Sequence, residues 1–294
     1  MPSVIPNVLS IAGSDPSGGA GIQADLKSFA ALGVYGMAAI SGLTAQNTRG
    51  VRAIQPLPAA FVAAQIDAVF EDIRVDAVKL GMLGGADIVA AVADCLRRWQ
   101  APAVVLDPVM VAKSGAALLT DSAVEHLRTQ LLPLATLVTP NLPEAGALLH
   151  REPPRDLPAM RDAARALHAL GPRWVLLKGG HLPGDDCTDL LYDGRQFVDY
   201  PARRIPTANT HGTGCTLSAA IAAGLAHGLA VPQAVAQAKA YLTAAIAAAD
   251  TLAVGQGHGP VQHFHSWWDA ARPGASANGA APRPECQSRT PDDP

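Results

Sequence analysis

The densest chemistry in the chain lies in Asn209-Thr210-His211-Gly212-Thr213-Gly214-Cys215-Thr216-Leu217, where hydroxyls, an imidazole, a thiol and two glycines precede an apolar periodic run. Leu217, Ala220, Ile221, Gly224 and Leu225 recur at helical spacing, so residues 212–216 are predicted at a helix N-terminus. Backbone N–H groups without intrahelical partners gather there, and the helix dipole favours a phosphate or a developing oxyanion beside them. Gly212 and Gly214 let the backbone approach such an anion without a Cβ in the way. The same residue types also suit a plain helix start, so the loop alone leaves both readings open.

The elements that would position this loop alternate along the chain. Strands are predicted at 8–13, 37–43, 75–80, 104–107, 137–139 and 174–178. Between them lie amphipathic helices from Ile22, after Pro58, and near 88–99, 122–131 and 157–170, with another at 233–250 after the anion-loop helix. Residues 189–192 and 197–200 flank Asp193-Gly194 and read as a hairpin, adding antiparallel strands late in the chain. Apolar strands separated by amphipathic helices predict a mostly parallel sheet covered on both faces. Ligands collect outside the carboxyl ends of the strands in such a sheet. Those ends are polar or glycine-rich: Gly13 with Asp15, Thr44 with Gln46, Gly81 with Met82, Asp107, Asn141 with Glu144, and Lys178 with Gly179-Gly180. Singly, Asp107-Pro108 and Asn141-Leu142-Pro143-Glu144 are turn and helix-cap chemistry. Together the strand ends predict a cleft.

Composition narrows the classes. The 294 residues are 49% hydrophobic, enough for a large core, and one main domain over 1–271 is expected. Residues 272–294 are rich in Pro, Gly, Ala and Ser, contain no large apolar residue, and are expected to be a disordered tail. A net charge of −3 with no Lys/Arg block argues against nucleic acid. The first basic residue is Lys27 and the Ala-rich 218–230 stretch is too short to span a bilayer, so neither a secretory signal nor a membrane anchor is read and a cytoplasmic protein is expected. Cys95, Cys187, Cys215 and Cys286 lack zinc-site spacing and suggest no disulfide framework. No Gly-x-x-x-x-Gly-Lys-[Ser/Thr] sequence occurs. Gly19-Ala20-Gly21-Ile22-Gln23-Ala24 matches a dinucleotide-binding pattern, but it starts several residues after its strand and 34–44 offers no acidic residue for a ribose.

Gly212-Thr213-Gly214-Cys215-Thr216, preceded by Asn209-Thr210-His211, resembles the anion hole of the ribokinase-like superfamily, in its hydroxymethylpyrimidine/phosphomethylpyrimidine kinase branch. The resemblance extends through residues 12–27, 44–48, 79–83, 106–110, 139–145, 178–181 and 263–268, nearly all of 1–268. It implies a three-layer α/β/α ribokinase-like fold and a homodimer. It also implies a kinase that uses ATP and Mg²⁺ to phosphorylate 4-amino-5-hydroxymethyl-2-methylpyrimidine and then its monophosphate, for thiamine synthesis. A 4-aminopyrimidine presents an amino donor beside a ring-nitrogen acceptor, which the primary amide of Gln46 can complement. The resemblance adds Asp25 and the backbone near Gly13 as partners of the ring, and Met82 and Val109 as apolar walls.

Phosphoryl transfer needs cations on the phosphates and oxygen ligands for a hard metal ion. Lys178 meets the first need, and Asp107 and Glu144 the second, holding Mg²⁺ through water. By resemblance Asn141 and Glu144 form a metal–phosphate Asn-x-x-Glu motif, Thr210 and His211 flank the phosphates, and Lys113-Ser114-Gly115 forms a flap over them. Gly212, Thr213 and Gly214 supply the anion hole. Cys215 stands where most ribokinase-like sugar kinases carry an aspartate base; a helix N-terminus lowers a thiol pKa, whereas a nearby phosphate raises it. Either Cys215 is the base or it is a small packing residue beside the loop. Two rivals remain: a pyridoxine or pyridoxal kinase on the same fold, and a non-catalytic pyrimidine-binding module.

Overall fold

The computed structural model describes residues 4–110 and 119–268. In chain order the strands are β1 (Asn7–Ala12), β2 (Tyr35–Ile40), β3 (Gly42–Asn47), β4 (Gly50–Pro56), β5 (Ala77–Leu80), β6 (Ala103–Leu106), β7 (Leu137–Val138), β8 (Trp174–Leu177), β9 (Asp189–Tyr192) and β10 (Phe197–Tyr200). The α-helices are α1 (Gly21–Ala31), α2 (Ala59–Asp72), α3 (Ala86–Arg98), α4 (Asp121–His126), α5 (Leu142–Leu149), α6 (Leu157–His168), α7 (Thr213–Ala226) and α8 (Val231–Ala247).

Eight strands form one sheet in the order β10-β9-β8-β7-β6-β5-β1-β2. Pairing is parallel from β2 to β8 and antiparallel across β8-β9-β10. The late hairpin is therefore present at the predicted residues. Val8, Ala77, Val105, Leu137 and Leu176 point to one face, against α1, α7 and α8. Leu9, Ile11, Val78, Leu80, Leu106 and Val175 point to the other, against α2, α3, α5 and α6. Strands buried on both faces read as continuous apolar runs, as Trp174–Leu177 does.

Two regions depart from the sequence reading. The single strand expected at 37–43 is broken: β2 ends at Ile40, and β3 pairs with β4 in a separate two-stranded antiparallel sheet. Every residue of β4 is half-buried or exposed, so no burial pattern marks it. The helix expected at 122–131 is α4 followed by a wider π turn at Leu127–Leu131. Asn141-Leu142-Pro143-Glu144 opens α5 through a capping box, the Asn141 side chain accepting from the Glu144 N–H and the Glu144 carboxylate accepting from the Asn141 N–H.

The chain leaves β1 toward β2 on one side and returns to β5 on the other, so the order reverses at β1. A crevice at such a reversal, beyond the carboxyl ends of the strands, is where an open α/β sheet holds its ligands.

Candidate active site

A cavity of about 910 Å³ opens at that position. The ends of β1, β5, β6, β7 and β8 bring Gly13, Met82, Asp107, Val109, Asn141, Glu144 and Lys178 to it, and α7 brings Thr210 through Cys215. Gln46 reaches it from the β3–β4 hairpin. Of the residues expected at the site, these lie together. Lys113 falls outside the described residues, as do Cys286 and the tail at 272–294.

Charge concentrates in the middle of the cavity. Lys178 Nζ lies 2.9 Å from Asp107 Oδ1 and 3.8 Å from Glu144 Oε2. Asp107 also accepts from Thr139 Oγ1 at 3.2 Å and Ser218 Oγ at 3.4 Å. Burial works against the ammonium of Lys178, but Asp107 and Glu144 outweigh it and hold its pKa above the ordinary lysine value. Burial, reinforced by the Asp107 charge and opposed by Lys178, raises the Glu144 carboxyl to about 7. Gly214 passes closest to this pair; a Cβ there would lie 3.4 Å from Asp107 Oδ2 and 3.5 Å from Lys178 Nζ.

The anion loop approaches the loop after β1 backbone to backbone. Gly212 has φ of 79°, and a Cβ on it would fall 1.8 Å from the Gly19 carbonyl oxygen, so only glycine fits. No side chain caps α7; the Thr213 N–H meets the Thr210 carbonyl at 3.5 Å, and a helix start of this kind leaves N–H groups without intrahelical partners. Cys215 sits in the first turn. Burial raises the thiol to about 11, with Lys79 opposing and Asp25 and Asp107 adding to the rise.

At the β1 end, Asp15 accepts from the Ser17, Gly19 and Ala20 N–H groups and lies 2.7 Å from His211 Nε2. Burial opposes its charge, but the hydrogen bonds from His211 and Ser17 prevail and hold the carboxyl at about 2. His211 Nε2 is also 3.2 Å from the Gln46 carboxamide. His211, expected beside the phosphates, therefore meets Asp15 and Gln46. Met82 and Val109 line the apolar side of this end, next to Gly13.

Asp25 is not on the cavity wall. Its Oδ2 accepts from Ser10 Oγ at 2.6 Å and Lys79 Nζ at 2.8 Å. Its Oδ1 is closed from solvent with no hydrogen-bond partner among the described residues. The expectation that it contacts the ring is corrected, because α1 turns this carboxylate under the floor toward a buried lysine. Lys79 itself gave no local signal, being one charge in an apolar strand.

The opposite end of the cavity was not foreseen. Lys239 of α8 pairs with Asp189, whose Oδ1 accepts from the Gly179 N–H at 2.8 Å. Arg204 donates to the carbonyls of Gly180, Leu182 and Gly184, and with Leu242, Thr243 and Ile246 it lines the same cavity. Only Gly179-Gly180 and the hairpin hinted at it in the sequence.

A three-layer sheet whose strand ends meet an uncapped glycine-rich helix start and a lysine–carboxylate cluster defines a ribokinase-like phosphotransferase. The chain belongs to the phosphomethylpyrimidine kinase family, whose model matches residues 15–262. It is 59% identical over 260 residues to a hydroxymethylpyrimidine/phosphomethylpyrimidine kinase of Rhizobium meliloti, covering 88% of this chain and 97% of that one. Identity to the protein of the same description from Escherichia coli is 54% over 262 residues, covering 89% and 98%. Among solved structures, an ADP complex of Bacillus subtilis pyridoxal kinase superposes with a TM-score of 0.82 at 39% identity, covering 90% of this chain and 99% of that one.

Proposed function

We propose that this protein transfers a phosphoryl group from ATP to the hydroxymethyl group of 4-amino-5-hydroxymethyl-2-methylpyrimidine, and then to the resulting monophosphate, giving the diphosphate used to make thiamine. The observation that carries this reading is that one cavity is lined together by Gln46, by the Lys178, Asp107 and Glu144 cluster, by the Gly212–Cys215 loop, and by Asp189, Lys239 and Thr243. Gln46 pairs its carboxamide with the ring nitrogen and amino group, while Met82, Val109 and the Gly13 backbone bound the ring. The part of the cavity near Asp189, Lys239 and Thr243 takes the nucleotide, with its phosphates directed to Lys178, Thr210 and the anion loop. Lys178 neutralises the transferring phosphoryl group. The Gly212–Cys215 backbone N–H groups stabilise the charge that develops on it. In the first step the thiolate form of Cys215, a minor fraction at neutral pH because burial raises the thiol to about 11, accepts the proton of the hydroxymethyl group and becomes the thiol. In the second, the acceptor is an already ionised phosphate and needs less help.

Among the described residues no group of three or more His, Cys, Asp or Glu could hold a metal ion. The two carboxylates of Asp107 and Glu144, with Lys178 between them, fit a magnesium ion held through water and phosphate oxygens, in keeping with its reluctance to lose hydration. When bound, that ion would neutralise phosphate charge. Asn141 serves by capping α5 and so fixing Glu144.

The catalytic unit is assigned to 1–271, as a homodimer. No helix among the described residues is long and apolar enough to cross a membrane, and a cytoplasmic location accords with that. The test is incubation with ATP and Mg²⁺ and, separately, the hydroxymethylpyrimidine, its monophosphate and pyridoxal, with products resolved by charge. Sequential mono- and diphosphate formation is expected. Pyridoxal phosphate as the dominant product would overturn the assignment, and ligand binding without turnover would favour a sensing module.

A further inference from the structure

The hairpin that carries Gln46 and the loop that carries the anion site are 165 residues apart, from Gln46 to His211. They share no strand pairing, since β3 and β4 form a sheet of their own. A two-stranded hairpin has little independent stability in water, and this one leaves Leu43 and Ile54, on opposite faces, exposed. Its base is tied to the loop after β1, where the Ser14 N–H donates to the Gly42 carbonyl and Thr44 Oγ1 to the Ser14 carbonyl, both at 2.9 Å, and its tip is held by a further segment.

Residues 255–260 form a strap between the two. At the hairpin tip, the His258 N–H donates to the Thr48 carbonyl at 2.9 Å, the Gly257 N–H donates to Thr48 Oγ1 at 3.1 Å, and Arg49 donates to the Gln256 side chain. A Cβ on Gly257 would lie 2.1 Å from the Thr48 carbonyl oxygen, so the clasp closes only on glycine. At the other end, the His211 N–H donates to the Gly259 carbonyl and the Gly259 N–H to Asn209 Oδ1, both at 3.0 Å. Asn209 Nδ2 donates to Asp250 Oδ1 at 2.8 Å, an oxygen that also accepts from Thr207 Oγ1 at 2.6 Å. Thr48 and Asn209 do not line the cavity. The path from the hairpin tip to the residue before Gly212 is hydrogen-bonded at each step.

We propose that Thr48 and Asn209 are positioning residues for phosphoryl transfer, which act through the 255–260 strap to hold the Gln46 hairpin and the anion loop in one register. The inference rests on the kinase reading above. The reacting groups must meet within a fraction of an ångström, and a displacement of about 1 Å can cost roughly 100-fold in rate. A purely local role would lower stability and leave the kinetic constants alone.

The experiment compares Thr48→Val, Thr48→Ser, Gly257→Ala, Asn209→Ala and the Thr48→Val/Asn209→Ala double variant with the unaltered full chain. It measures first-step kinetics and amide hydrogen exchange over residues 209–216. Thr48→Val should raise the pyrimidine KM and lower kcat, each by ~3–10-fold, with the ATP KM within about twofold, and exchange in the anion loop should accelerate. Thr48→Ser should restore all of these, and Gly257→Ala should reproduce the Thr48→Val pattern from the other side of the clasp. The double variant should lose no more than the worse single variant, because both break one connection, whereas independent sites multiply their losses. Multiplied losses, unchanged exchange in the anion loop, or an effect of Thr48→Val confined to melting temperature would each overturn the proposal. If the unaltered protein phosphorylates no pyrimidine, the functional reading fails, and the exchange comparison still decides whether the strap couples the two elements.

Discussion

The charged centre and the ring-binding end of the cavity are built by different means. Asp107, Glu144 and Lys178 stand at or just beyond the ends of parallel strands in the main sheet, backed by the core and almost closed from water. Gln46 stands on a hairpin outside that sheet and His211 on a loop, joined by side-chain hydrogen bonds across long sequence separations. The first region gains precision from burial, where an uncompensated charge is costly and geometry is fixed by the sheet. The second gains it from contacts among loops, where each bond contributes less. Substitutions should therefore act mainly on rate at the centre and mainly on substrate affinity at the ring end.

The largest effect is expected at Lys178. Lys178→Gln keeps a donor for Asp107 but removes the cation, and turnover in both phosphorylations should fall ~10²–10³-fold with little change in pyrimidine KM. A loss below tenfold in steady-state assays would remove Lys178 from the transfer step and break the contrast. Cys215→Ala comes next, with roughly 10²-fold loss in the first step and less in the second. Because the thiol stands at about 11, the thiolate fraction rises with pH through the neutral range, so the first-step kcat should climb with pH while the second stays flatter. Cys215→Asp should retain part of the activity and move the profile to lower pH. Equal losses in both steps would leave Cys215 a packing residue.

Gln46→Leu should sharpen the contrast from the other side. Leaving the polar edge of the ring unpaired costs about 1–3 kcal/mol, so the pyrimidine KM should rise ~5–150-fold with ATP affinity nearly unchanged. An unaltered KM would take Gln46 out of the pocket.

The smallest effects are on stability against pH, and they have opposite signs. Asp15 falls from 3.8 to about 2 on folding, so its contribution is present above 3.8 and is lost as pH falls toward 2. Glu144 rises from 4.5 to about 7, so its contribution is full below 4.5 and is lost as pH rises toward 7. These contributions are on the order of 2 kcal/mol for Asp15 and 3 kcal/mol for Glu144. By calorimetry, Asp15→Asn should reduce the fall in Tm between pH 4 and 2, and Glu144→Gln should flatten the slope from pH 4.5 to 7 (roughly the two windows above). Parallel profiles for the two variants would mean that the ends do not differ in this respect.

The same division explains what the sequence disclosed. Strand ends follow from apolar runs, and the open-sheet rule turns those ends into a cleft, so Asp107, Glu144, Lys178 and the Gly212–Cys215 loop could be placed without coordinates. Asp193-Gly194 marked the late hairpin through its turn chemistry. The β3–β4 hairpin escaped because the alternation in β3 sets half-buried Thr44 and Gln46, both polar, against exposed neighbours, and β4 has no alternation at all. Asp25 and His211 were assigned partners from position in a motif, while their actual neighbours, Lys79 and Asp15, lie 54 and 196 residues away. Local periodicity carries no information on pairings of that range. The Asp189–Lys239 pair escaped for the same reason.

The 196-residue span between Asp15 and His211 has a consequence for how the protein is made. β1, β2 and β5 can pair as soon as the first 80 residues have left the ribosome, but the Asp15 carboxylate and the Gly18–Gly19 turn have no opposing surface until α7 appears. At about 5–20 residues per second that delay is roughly ten to forty seconds. The strap that joins hairpin to loop emerges later still. A nascent chain therefore carries most of its sheet while the cavity has only one of its walls.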